Sequence, residues 1–327
     1  MMSGAGFSGL SQEDINAFFG DENTPHTIAS DLLARPKNPE PPMVLFVAGQ
    51  PSSLKTTTEK VMAKWLGLRS PAWIDADRFR GYHPKYSEWA GQDDRTAAAR
   101  THEAAAKWVD MAIEFVIKRG CDAVVSATLK DPEGAREKVT PFQQAKYQTS
   151  VVFTAVHRGS SRLGVIDRYL KDHFDAHALG RYVPADVHDA AYTGVLETAN
   201  ELDAGQCGNL RLAIYRPDVG LPIYERTTVG PTPTNRAATA IQQGRVQHWN
   251  ASGSVFFRNT SQQWLNHGSL NEDLRYEVAR AVADIFADIT PHSSFCLQIP
   301  VGHPDAPAYA GDTPNTPTPL SATKGRW

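Results

Sequence analysis

The sequence predicts an α/β fold: a mostly parallel sheet in a three-layer core flanked by helices, with a helical C-terminal extension. Met43-Val-Leu-Phe-Val-Ala48 is a continuous apolar run, the pattern of a strand buried on both faces of a parallel sheet. Beyond it, short apolar segments alternate with helical stretches of about 10 to 20 residues, as in βαβ units with right-handed crossovers. The chain has 327 residues, 41% of them hydrophobic, which is enough to bury a large core and too apolar for a disordered chain.

A short amphipathic helix is expected over 11–20, with Ser11 as N-cap and Ile15, Phe18 and Phe19 on one side. The Pro-rich stretch 35–42 cannot continue a helix or form a central strand. After the strand at 43–48, a helix is expected over 55–65 and a strand over 72–75. A long helix over 96–118 should stop at Gly120. Strands at 123–126 and 151–156 bracket a helix over 134–146. Helices follow near 161–171 and 184–202, then a strand pair at 210–215 and 223–225. The run Gly230-Pro-Thr-Pro-Thr-Asn235 reads as a turn-rich break. A helix at 236–244, a polar stretch and a helix at 271–289 come next, and the Pro- and Thr-rich end reads as disordered. The organisation is thus an N-terminal helix and linker (1–40), a core (41–229), an extension packed on it (230–300) and a tail (301–327).

Charge and cysteine content narrow the function classes. Lys and Arg number 33 against 36 Asp and Glu, a net charge of −3, which disfavours a generally basic, nucleic-acid-binding surface. Cys121, Cys207 and Cys296 form no CxxC pair, so neither a disulfide framework nor structural zinc is expected. The N-terminus lacks a basic segment followed by an apolar core, and no run of about 18 apolar residues occurs. These features lead to the expectation of a cytoplasmic protein without membrane partners.

The chemistry concentrates at strand ends. Gly49-Gln50-Pro51-Ser52-Ser53-Leu54-Lys55-Thr56-Thr57 joins the first strand to the first core helix, where backbone N–H groups and the helix N-terminus favour a phosphate. It departs from the phosphate-loop pattern G-x4-G-K-[ST] at one position: Leu54 replaces the last glycine, and its Cβ could crowd the phosphate or demand an unfavourable backbone. In that pattern Lys55 reaches the β/γ-phosphates and Thr56 ligates Mg²⁺. Trp73-Ile-Asp75-Ala-Asp77 ends the next strand at the crevice where open α/β sheets bind ligands. A carboxylate there can take a proton from a substrate hydroxyl or help to hold Mg²⁺.

Together, Gly-Gln-Pro-x-x-x-Lys-Thr and, some twenty residues later, Ile-Asp-x-Asp-x-Phe-Arg-x-x-His-Pro-x-Tyr resemble the zeta toxin family over roughly residues 40–225. These are bacterial toxin–antitoxin kinases that phosphorylate UDP-N-acetylglucosamine. The resemblance implies a P-loop NTPase-like core, ATP or GTP as co-substrate, and Mg²⁺. It implies Lys55 as the loop lysine, Thr56 as the metal-side hydroxyl and Asp77 as the base for the sugar hydroxyl. Arg168 and Arg181, thirteen residues apart, match the lid arginines that clamp the transferring phosphoryl group. Phe79, Arg80, His83, Asp110 and Thr128 fall at substrate-side positions. Ser126 stands where the family usually carries an acid that manages the metal or nucleophile. An antitoxin protein is the implied partner, and the N-terminal helix around 15–19 could instead cover the nucleotide cleft in cis. Leu54 and Ser126 leave two alternatives open: a catalytically impaired pseudokinase that binds a metabolite or an antitoxin-like partner, and a kinase for another nucleotide-type acceptor. The segment 236–295 carries Trp249, Phe256, Phe257, Trp264 and Leu265 but no functional motif.

Overall fold

A computed structural model describes residues 9–33, 41–174, 181–227, 236–247 and 251–288. Six strands form one sheet in the order β2-β3-β1-β4-β5-β6. They are β1 (Met43–Ala48), β2 (Ala72–Asp75), β3 (Ala123–Ala127), β4 (Gln148–Thr154), β5 (Arg211–Arg216) and β6 (Leu221–Arg226). All pairs are parallel except β5–β6.

The central strand β1 explains the layers. Val44, Phe46 and Ala48 point into one core with Trp108, Ile113, Val139 and Phe142, while Leu45 and Val47 point into another with Met62 and Ala63. The second face is covered by α3 (Lys55–Trp65). The first is covered by α7 (His102–Arg119), α8 (Pro132–Gln144) and α10 (Ala185–Asp203). Gly120 ends α7 in the left-handed conformation, as its position in the sequence predicts.

The N-terminal helices α1 (Gln12–Phe19) and α2 (Ile28–Leu33) pack on α7. Ser11 and Asp14 close a capping box on α1. The indole Nε1 of buried Trp108 donates to the Ile15 carbonyl at 2.9 Å, so α1 is tied to the back of α7.

Several features differ from the sequence reading, among them α2, which it does not include. The long helix breaks into α6 (Ala97–Arg100) and α7, because the Thr101 hydroxyl donates to the Ala97 carbonyl and receives Arg80 Nη1 at 3.0 Å. Between β2 and α6 the chain forms α4 (Ala76–Phe79), a 3-10 turn (Arg80–Tyr82) and α5 (Tyr86–Gln92), all too short for a periodic signal. Strand β4 begins at Gln148, three residues early. The stretch read as polar contains α12 (Ala251–Leu265), whose Phe257, Ser261 and Trp264 are buried at i, i+4 and i+7. Its serines and glycine mask that spacing, and tertiary burial overrides their weak helix propensity.

Helix α11 (Arg236–Val246) packs on β5, β6 and α10. Helices α12 and α13 (Glu272–Asp288) pack on α9 (Arg158–Phe174) around a separate cluster of Leu163, Ile166, Leu170, Phe257, Val278 and Ile285. Cys296, the linker at 34–40, the turn-rich break at 230–235 and the tail at 301–327 lie outside the described residues. No described helix is long and apolar enough to cross a membrane.

Candidate active site

The carboxyl ends of β1, β2, β3, β4 and β5 open onto one cavity of about 990 Å³. Its centre is the loop between β1 and α3. Gly49 begins this loop at φ 151°, and a Cβ there would lie 2.2 Å from Thr154 Oγ1 and 2.6 Å from Ser53 Oγ. The loop is held from below: Gln50 Nε2 donates to the Val156 carbonyl at 2.8 Å, and Thr154 Oγ1 donates to Ser53 Oγ at 2.7 Å. Gly49, Gln50 and Ser53 therefore act as the loop's frame. Pro51, Ser52, Leu54, Lys55, Thr56 and Thr57 line the cavity.

Leu54 caps α3 in the left-handed conformation, φ 62° and ψ 29°, with its side chain 50% exposed. It thus holds the backbone shape a glycine would take, at a cost of roughly 1–2 kcal/mol for a residue with a Cβ. The leucine strains the loop without collapsing it.

Lys55 Nζ donates to the Gly49 and Gln50 carbonyls at 3.0 and 2.9 Å. Burial lowers its pKa to about 8; Asp75 and Glu59 oppose this, while Arg181 and Arg168 reinforce it. Glu59, one turn along α3, is buried beside Ser126, and its Oε1 has no partner among the described residues. Burial raises the pKa of Glu59, and the Asp75 charge adds to the rise. Burial also raises that of Asp75, against the pull of Arg181 and Lys55. A carboxylate therefore does stand near position 126, supplied by α3 rather than by β3. The sequence pattern cannot show this, because the two positions are distant along the chain.

Asp75 caps α4 by accepting from the Asp77 N–H at 2.9 Å, which turns Asp77 toward the cavity. Asp77 pairs with Arg80 at 3.3 Å and with Arg181. Arg168, on α9, also lines the cavity. Its Nε and Nη2, and Nε of Arg181, are buried without partners among the described residues. Burial lowers the pKa of both arginines, that of Arg181 to about 10, which leaves Arg181 cationic at neutral pH.

Of the predicted substrate-side residues, the structure brings Asp77, Arg80 and Thr128 to the cavity wall. Phe79, His83 and Asp110 are not there. Phe79 is in the core, His83 is buried with its ring 4.9 Å from that of Trp89, and Asp110 faces outward 4.0 Å from Lys138 Nζ. Helix α4 and the 3-10 turn rotate the first two inward, and α7 presents Ala106 and Val109 to the cavity in place of Asp110. Residues with no motif also join the wall, among them His102, Lys130 and Lys138. Burial lowers the His102 pKa, and the cations of Arg80, Lys130 and Lys138 add to this. No described residue of α1 or α2 lines the cavity, so that segment does not cover the cleft.

Among the described residues no group of three or more His, Cys, Asp or Glu side chains is set to hold a metal. Thr56, Asp75 and Ser126 present hard oxygen atoms along the same wall. They fit Mg²⁺, which keeps waters and is bound through one or two carboxylates together with substrate phosphates.

Toxin zeta of Enterococcus hirae is 25% identical over 210 residues, 62% of this chain and 71% of that protein. Toxin PezT of Streptococcus pneumoniae serotype 4 is 21% identical over 235 residues, 71% of this chain and 90% of that one. A solved structure from the PezAT chromosomal toxin-antitoxin system of Streptococcus pneumoniae shares the fold, with a TM-score of 0.59, 18% identity, and coverage of 72% of this chain and 91% of that one. The sequence profile of the family described as Zeta toxin matches residues 28–228, and the chain belongs to the zeta toxin family.

Proposed function

We propose that the chain is a small-molecule kinase that transfers the γ-phosphoryl group of ATP or GTP to a hydroxyl of UDP-N-acetylglucosamine or a related nucleotide sugar. The observation that carries this reading is the set of buried guanidinium nitrogens without partners, on Arg168 and Arg181, facing the same cavity as Lys55. Buried unpaired donors are costly, and a multiply charged phosphate would satisfy them.

In this reading Lys55 and the α3 N-terminus hold the donor's phosphates, with Thr56, Asp75 and Ser126 as ligands or water-mediated partners of Mg²⁺. When bound, Mg²⁺ neutralises charge on the phosphate oxygens. The acceptor oxygen attacks the γ-phosphorus, the bond to the β-phosphate oxygen breaks, and Asp77 accepts the hydroxyl proton. Arg168 and Arg181 spread positive charge over the equatorial oxygens. Arg80, Lys130 and Lys138 give the acceptor side a cationic wall, which suits a diphosphate-linked sugar. The expected location is the cytoplasm, where such substrates occur. A protein antitoxin is the expected partner, by analogy with the toxin-antitoxin system named for the similar structure.

The test is incubation with ATP or GTP, Mg²⁺ and a panel of nucleotide sugars, followed by mass spectrometry. A singly phosphorylated sugar nucleotide that disappears in Asp77→Asn is expected. Binding of both ligands without product would sink the kinase reading in favour of a pseudokinase.

A further inference from the structure

The family profile ends at residue 228, yet the cavity does not. Its wall continues past β4 and β5 to Arg216 and Asp218, then to Gly244 and Arg245 of α11 and Phe256 of α12. We propose that α11 and α12 build the subsite for the base of the donor nucleotide, with Phe256 as its stacking platform; this rests on the kinase reading above.

The direction follows from in-line displacement. Asp77 lies at the end of β2, on one side of the Lys55 loop in the strand order. An acceptor oxygen activated there enters opposite the leaving β-phosphate. The donor's nucleoside must then extend away from β2, toward β4 and β5. That is the side closed by the extension.

The wall there has the chemistry a base requires. Phe256 is 55% exposed, an unusual state for phenylalanine, and it borders the same cavity as Ser52 of the phosphate loop. Arg245 is buried with its guanidinium 3.6 Å from the Tyr192 ring centre, and Arg216 is fixed by Asp218 at 3.0 Å. Gly244 lets α11 reach this edge: a Cβ there would lie 2.5 Å from Ile223 Cδ1 and 2.8 Å from Ala155 Cβ. Aromatic faces bind bases through stacking and tolerate any base, because every base has a π-face.

The proposal therefore predicts affinity without strong base choice. Calorimetry on the full chain would compare ATP, GTP and inorganic tripolyphosphate for the wild type, Phe256→Ala, Phe256→Trp and Lys55→Ala. Phe256→Ala should weaken ATP and GTP by about tenfold, the order of one lost stacking contact, and leave tripolyphosphate unchanged. Phe256→Trp should retain ATP and GTP binding, and Lys55→Ala should weaken all three. Lys55-dependent ATP binding that is indifferent to Phe256→Ala overturns the subsite and leaves the kinase reading standing. Failure of the wild type to bind any of the three overturns both.

Discussion

Arg181 forms an ion pair with Asp77, so this arginine and the proposed base hold each other across the cavity. Arg80 secures the other side of the same carboxylate at 3.3 Å. An aspartate held by two guanidinium groups is a poor base. It becomes a better one when Arg181 turns to a phosphoryl group, so phosphate binding and base release are the same movement in this reading. Arg181→Ala is expected to reduce turnover by about 10³-fold or more, the range for a transition-state arginine. Nucleotide affinity should fall less than tenfold. Arg181→Lys should not restore turnover, because a point charge lacks the planar fork. Single-turnover rates alongside calorimetry check this, and an equal loss in both quantities would refute it.

Leu54 already occupies the left-handed conformation, with its side chain half-exposed at the cavity wall. Leu54→Gly should therefore act on stability more than on binding. Relief of roughly 1–2 kcal/mol of strain is offset in part by about 0.5–1 kcal/mol of added chain entropy in the unfolded state. A net gain of about 0.5–1 kcal/mol is expected in thermal melts, with nucleotide affinity changing less than threefold. A tenfold gain in affinity would mean that the leucine side chain occupies the phosphate's space.

The core of this fold is legible because apolar runs and helix caps are local. Met43–Ala48, Lys55–Trp65 and Ala72–Asp75 are read to the residue from sequence. Lys55 and Asp77 are legible for the same reason, each lying just past a recognisable strand, whereas Arg168, inside α9, and Arg181 stand out only through the family resemblance. What sequence hides is orientation and long-range proximity. Phe79 and His83 share a motif with Asp77, but the short helix α4 and the 3-10 turn bury them. Glu59 comes to Ser126 across the sheet edge, a contact no spacing announces. Phe256 sits beside Phe257 in sequence, yet one side chain borders the cavity and the other is in the core.

Glu59 supplies a further test. Its pKa is raised by burial, so the folded state holds this proton above the unfolded value. Stability is then lost as pH rises from the unfolded value toward the folded one, and that loss persists at neutral pH. Glu59→Gln keeps the neutral form's shape and should raise the melting temperature at pH 7 but not at pH 4, by about 2–4 °C for each kcal/mol relieved. If Glu59 also orders Mg²⁺ through Ser126, the variant binds nucleotide–Mg²⁺ more weakly while Mg²⁺-free nucleotide binding is unchanged. Destabilisation at pH 7 would show instead that the charged form is the one the fold needs.

Lys55 gives the clearest pH signature. Its pKa falls from 10.5 to about 8 on folding, chiefly through burial, so between these values the unfolded chain binds the proton and the folded chain does not. Stability should therefore rise with pH across about 8 to 10.5 as the buried charge is released. Below about pH 8 the charge costs the fold at most roughly 3–4 kcal/mol, from 1.36 kcal/mol per pKa unit. Lys55→Met removes that cost, so its melting temperature should exceed the wild type's at pH 7 and the two should converge toward pH 10. Nucleotide binding has the opposite dependence, because phosphates need the cation and weaken as the wild-type amine neutralises above about pH 8. Paired melts and binding isotherms from pH 6.5 to 10 measure both arms. A wild type whose stability stays flat from pH 8 to 10, or a Lys55→Met variant less stable at pH 7, would mean that the ammonium's bonds to Gly49 and Gln50 outweigh its desolvation.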